Sequence, residues 1–131
     1  MAPEMSEEQE AQSMLAAVMD LVFADTSARF LAAQVEYLSH PWDIGTRKAK
    51  EIFFESRFID AHEAAELGFV SRVYAPEDLD RESFNYAMRV SENNPMAVRM
   101  AKIAVNRTQD IQGYTAAVDA SFSDYITKVQ Y

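Results

Sequence analysis

The chain has 131 residues, 21 acidic against 12 basic side chains for a formal net charge of -9, and no cysteine. That length suits one shared core, the charge repels nucleic-acid phosphates and anionic lipid headgroups over any wide surface, and the lack of thiols excludes disulfides and thiolate metal sites. About half the residues are apolar, too many for a disordered chain.

The first ten residues, MAPEMSEEQE, are acidic where a secretory signal is basic, and MLAAVMDLVF is too short to span a bilayer and carries Asp20. Neither export nor membrane insertion is expected, and with no cysteine a cytoplasmic setting is the expectation.

Residues 6 to 19 are rich in strong helix formers, with Ser6 placed to cap and acids in the first turn, so an amphipathic helix is predicted. Its apolar stripe is Met14, Leu15, Val18 and Val22. From Asp20 to Phe30 the pattern suits either strand or helix; the reading adopted is helix, followed by a second helical run from Ser27 to Leu38 with Phe30, Leu31, Val35 and Leu38 inward. Ser39 to Gly45 reads as a loop, because a residue before proline favours extended backbone; Trp42 would anchor it.

Residues 46 to 55 read as a helix with Ala49, Ile52 and Phe53 on one side and Arg47, Lys48 and Lys50 on the other. Asp60 then stands at a helix start, with Glu63 three residues on completing a capping-box pattern, and Gly68 supplies the stop. FVSRVY follows as one apolar strand. Pro76 fits the first turn of the next helix, whose expected buried stripe is Leu79, Ser83, Tyr86, Ala87 and Val90. Asn94 and Pro95 open another, with Met96, Met100, Ala101, Ala104 and Val105 as its packed face. A last helix, broken or bent near Gly113, aligns Tyr114, Val118, Ser121, Phe122, Tyr125 and Val129.

The expected fold is therefore mainly α, a single helical domain over 1–131 with an added N-terminal amphipathic helix and at most one short strand. A lone strand cannot satisfy its own backbone, so this one must pair elsewhere or be irregular.

The stretch RKAKEIFFESRFIDAHEAAELGFVSRVYAPEDL, followed by ENNPMAVRMAKIAVNRT, resembles the C-terminal region of the crotonase family, the enoyl-CoA hydratase/isomerases. The family pattern G-R-x-[IF]-D-A-x-E-A-x-x-x-G-[LF]-V is present as Ser56, Arg57, Phe58, Ile59, Asp60, Ala61, Glu63, Ala64, Gly68, Phe69 and Val70. Its N-P-x-A-V-x-x-A-K is present as Asn94, Pro95, Ala97, Val98, Ala101 and Lys102. Residues 36–131 carry the resemblance and residues 1–35 form a divergent segment, although DLVFADTSARF weakly resembles the last strands of the family's catalytic core.

The resemblance implies an acyl-CoA thioester held by two backbone amides, with glutamates as acid and base, in an N-terminal core not found in this sequence. No glycine-rich oxyanion segment precedes DLVFAD, and Gly45, Gly68 and Gly113 each suit a turn or helix end. Loss of even one oxyanion donor typically costs hundreds-fold in rate, so no catalytic residue is assigned. A CoA thioester enters as a ligand by resemblance alone; Lys128 is the one candidate for its phosphates, and a solvated lysine is the simpler reading.

Other chemistries fare no better. His40 and His62 lack zinc-ligand spacing, so no metal is expected. Ser39 beside His40 is adjacency without triad geometry, and Asp20, the one acid in an apolar run, reads as a helix-surface residue. The basic groups Arg47, Lys48 and Lys50, and Arg99, Lys102 and Arg107, read as solvated helix faces.

Two functions follow as expectations. One is a non-catalytic oligomerising module, a homodimer or trimer derived from an enoyl-CoA hydratase/isomerase. The other is half of a split hydratase/isomerase that needs a partner core for activity. Neither nucleic acid nor membrane is an expected partner.

Overall fold

The computed structural model describes residues 15–31 and 39–129. In chain order these form strands β1 (Phe23–Asp25) and β2 (Arg29–Leu31), helices α1 (His40–Ile44) and α2 (Thr46–Glu55), strand β3 (Phe58–Asp60), helix α3 (Ala61–Glu66), strand β4 (Arg72–Tyr74), and helices α4 (Leu79–Ser91), α5 (Pro95–Ile111) and α6 (Tyr114–Val129). The chain is mainly helical, as its composition and periodicity indicate.

The strands correct the sequence reading. Four three-residue strands form two pairs, β1 parallel to β4 and β2 antiparallel to β3. The expected FVSRVY strand shortens to Arg72–Tyr74, and its partner is Phe23–Asp25, in the stretch read as helix; Phe23 lies opposite Arg72 and Asp25 opposite Tyr74. Ser71 begins the pairing, its N–H donating to the Val22 carbonyl at 2.7 Å while its Oγ accepts from the Val22 N–H at 3.2 Å. Arg29–Leu31, also read as helix, pairs with Leu31 opposite Phe58. Val35 and Leu38, the other inward positions of that expected helix, lie outside the described residues.

Residues 15–18 are helical, and the earlier part of the predicted N-terminal helix, with Met14, lies outside the described residues. Of the expected stripe Val22 packs on the core, but Leu15 and Val18 are exposed and Ala16 and Ala17 pack on the core in their place. The Ser39–Gly45 segment, expected as a loop, holds one helical turn with Pro41 in its first turn, where a missing N–H has no intrahelical partner to lose.

Helix α2 matches its prediction, with Ala49 and Ile52 buried. It ends at Ser56, whose φ of 46° is left-handed, a conformation that non-glycine residues adopt at a cost. Asp60 caps α3, accepting from the Glu63 N–H at 2.9 Å, but the reciprocal half of the expected capping box is absent, because the Glu63 carboxylate is taken by Arg57. Gly68, at φ 86°, turns the chain back so that the Phe69 and Val70 amides both reach the Ala64 carbonyl.

The core lies at this end of the molecule: Ala24, Ile52, Ile59, Ala61, Ala64, Phe69 and Val70, drawn from both strand pairs, α2, α3 and the following turn. Beyond β4 the packing thins. Pro76 lies in a turn before α4, which begins at Leu79. Neither α4 nor α5 fully buries a residue: of the stripe expected on α4, Leu79, Ser83, Tyr86 and Val90 are half-buried and Ala87 is exposed, whereas the whole stripe expected on α5 is exposed. Asn94 caps α5 as predicted, accepting from the Met96 and Ala97 amides at 2.9 and 3.2 Å. Helix α5 packs chiefly on α6 across a break at Gly113, φ 95°. On α6, Ser121 is buried, Tyr114, Val118 and Tyr125 are half-buried, and Phe122 is exposed.

Candidate functional site

The segment Ser39–Ile44 places an imidazole and a carboxyl against the core. His40 lies nearly parallel to Phe69, ring centroids 5.9 Å apart and planes at 9°, and meets Phe53 at 5.3 Å and 81°. Phe30, Leu31, Ile44, Ile52, Ile59 and Phe69 line a small cleft with it, of about 10 Å³, room for roughly one water. Burial pushes the imidazole pKa below its ordinary value, since a charged ring there would lose its hydration. The Ser39 Oγ and His40 Nδ1 are both enclosed without a hydrogen-bond partner, so their adjacency in sequence does not yield a nucleophile and base.

Asp43 is the carboxyl that the sequence reading missed. Burial raises its pKa; the nearby Ser39 hydroxyl opposes the shift without reaching hydrogen-bond geometry. Its position between Trp42 and Ile44 was the available signal. One acid on this turn, beside a cleft whose one polar lining residue among the described residues is His40, does not make an acid and base pair on a shared substrate.

The remaining sequence candidates are dispersed. Asp20 pairs with Lys102, tying the chain before β1 to α5. Lys48 is held by Glu51 at 2.7 Å, and Arg47 and Lys50 are exposed beside it, as are Arg99 and Arg107 on α5. His62 is exposed on α3, whereas His40 is half-buried. Lys128 falls within α6. Among the described residues no three His, Cys, Asp or Glu side chains gather as a metal site, and no helix is long and apolar enough to cross a membrane.

Exposed apolar side chains recur along α5. Met96, Met100 and Ile103 recur at spacings of four and three and are 62%, 63% and 47% exposed. Ile111 extends this face, while Phe84 and Met88 stand exposed four residues apart on α4.

Comparison with known proteins accounts for the fold. Residues 12–128 match the family model described as enoyl-CoA hydratase/isomerase. EchA13 of Mycobacterium tuberculosis, which carries the name of an enoyl-CoA hydratase, is 38% identical over 110 residues, 83% of this chain and 35% of its own length. The crystal structure of a probable enoyl-CoA hydratase from Mycobacterium smegmatis superposes with a TM-score of 0.74 at 40% identity, covering 79% of this chain and 46% of that one. An enoyl-CoA hydratase/isomerase from Xanthobacter autotrophicus Py2 gives 0.77 at 31% identity, covering 85% and 44%. The chain belongs to the enoyl-CoA hydratase/isomerase family. It spans between about a third and a half of the length of these relatives.

Proposed function

We propose that this chain acts as a non-catalytic association module of the enoyl-CoA hydratase/isomerase family, working as a homodimer or homotrimer. The observation that carries the reading is the apolar face of α5, Met96, Met100, Ile103 and Ile111, left open on a helix that buries no residue. Contiguous exposed apolar patches beyond a few hundred Å² mark association, and at about 25 cal/mol per Å² covering one contributes several kcal/mol. Methionine suits such a surface because its unbranched chain adapts to a partner's contour. The cations Arg99 and Arg107 on the same helix favour a partner surface of net negative charge, which another copy at -9 provides.

Light scattering at micromolar concentration tests it: a dimer or trimer is expected, with the paired substitutions Met96→Glu and Met100→Glu shifting the mass towards monomer while the circular dichroism is retained. A wild-type chain that stays monomeric would overturn the proposal.

A second reading is favoured by the share of its relatives that the chain spans: it supplies one half of a split enoyl-CoA hydratase/isomerase. Crotonyl-CoA hydration that arises only on adding a second polypeptide with the rest of the fold supports this reading. Calorimetry with CoA separates the two, since the association module alone releases no binding heat.

A further inference from the structure

His40 is half-buried, with its Nδ1 fully enclosed. Among the described residues, the rings that meet its own are Phe53 of α2 and Phe69 of the turn after α3, and Phe30, Leu31, Ile44, Ile52 and Ile59 line the cleft beside it, all uncharged. On its own helix the titratable neighbour is Asp43, itself disfavoured as an anion by burial. Among the described residues, no carboxylate pairs with the imidazole. The cleft beside it holds about one water, too little for a substrate or cofactor.

We propose that His40 is an acid-sensitive latch: neutral, it seats α1 against Phe53 and Phe69, and on protonation α1 lifts away and opens the apolar cleft between β2, α2 and β3. In the neutral ring either nitrogen can lack a proton, so an enclosed Nδ1 without a partner is tolerated as an idle acceptor. Protonation turns that same atom into a charged donor with no acceptor in reach, and strips the cation of water. The face of Phe69 returns part of this cost by attracting the cation, but it cannot accept the Nδ1 proton.

The direction in pH follows from linkage. Burial lowers the folded-state pKa below the ordinary 6.5, so the open form binds the proton more tightly than the closed one. The latch is fully closed above the ordinary histidine range and loosens as the pH falls through 6.5 towards the lowered value. Asp43 acts in the opposite sense at lower pH, where its raised pKa favours the closed, protonated carboxyl.

Trp42 is a built-in reporter. It is the single tryptophan of the chain, it lies within α1, and it meets Tyr114 of α6 at 5.8 Å and 67°. Its emission, followed from about pH 8 to about pH 5, a range in which histidine is the side chain that ordinarily titrates, should shift to the red in the wild-type chain. His40→Phe, which fills the aromatic slot without titrating, should flatten that response, whereas His62→Gln and Asp43→Asn should keep it. In the wild-type chain the His40 imidazole NMR signal should titrate below the ordinary histidine value of 6.5, together with the tryptophan shift. A His40 signal that titrates at or above the ordinary histidine value of 6.5, or a His40→Phe chain with the wild-type pH response, would overturn the proposal. The NMR arm needs no variant to fold.

Discussion

Arg57 grips Glu63 with both ends of its guanidinium, at 2.7 Å and 2.6 Å, while its Nε donates to Glu55 at 2.6 Å. With Glu51 at 3.7 Å, one cation thereby ties the last turns of α2 to the first turn of α3 across β3. The Arg57 bonds hold the Glu63 carboxyl below the usual carboxylate range, and the two glutamates push the guanidinium pKa up.

Replacing Arg57 by methionine should destabilise the fold by about 1 kcal/mol, the upper end for partly exposed pairs, because a fork-shaped bidentate contact is stronger than a single point charge but each side chain is still 31% exposed and screened. Urea unfolding of the single variants and the Arg57→Met, Glu63→Gln pair should show coupling between them. A depressed carboxylate pKa means that this contribution is complete above about pH 4.5 and is lost as the pH falls through the lowered value. A coupling independent of pH across that window would contradict the assignment.

Asp60→Ala should cost about 1 kcal/mol, since the Glu63 amide loses the carboxylate that caps it. Because the capping box is only half formed, Glu63→Gln should leave this cap intact. Chemical denaturation of Asp60→Ala in wild-type and Glu63→Gln backgrounds should give nearly equal losses; a marked difference would restore the reciprocal box.

Ser56→Gly should stabilise the protein. The family pattern has glycine at this position, and Ser56 holds a left-handed backbone at φ 46°, which costs an L-residue roughly 1–2 kcal/mol, offset in part by the extra chain entropy of glycine. The hydroxyl bond from Ser56 to the Phe53 carbonyl, 3.3 Å, is given up. A melting temperature about 2–4 °C higher is expected, and a lower one would show that the serine hydroxyl outweighs the strain.

Neighbouring aromatic and aliphatic positions on α2 should behave very differently. Ile52 is fully enclosed, so Ile52→Ala should cost about 2–5 kcal/mol through lost burial and the cavity left behind. Phe54, two residues on, is 84% exposed, and Phe54→Ala should change stability by less than about 0.5 kcal/mol. Similar unfolding midpoints for the two variants would mean that Phe54 is covered in solution, as an association surface would be.

The sequence alone determined what short-range chemistry controls. The caps at Asp60 and Asn94, the stops at Gly68 and Gly113 and the whole of α2 were legible because each depends on residues within a few positions of one another, and the family membership because many identities recur in order between Arg57 and Lys102. The strand pairs were not, because three residues show no alternation and the partner of Arg72–Tyr74 lies far back in the chain, with Val22 and Ser71 separated by 49 positions. Tertiary structure also decided which apolar stripes are covered: Ala16 and Ala17 pack on the core rather than Leu15 and Val18, and the methionines of α5 stay open. Periodicity shows that a helix has an apolar face, but only the rest of the fold can supply the surface that buries it, and the same holds for Glu63, whose carboxylate left its local cap for a guanidinium that the fold brought within reach.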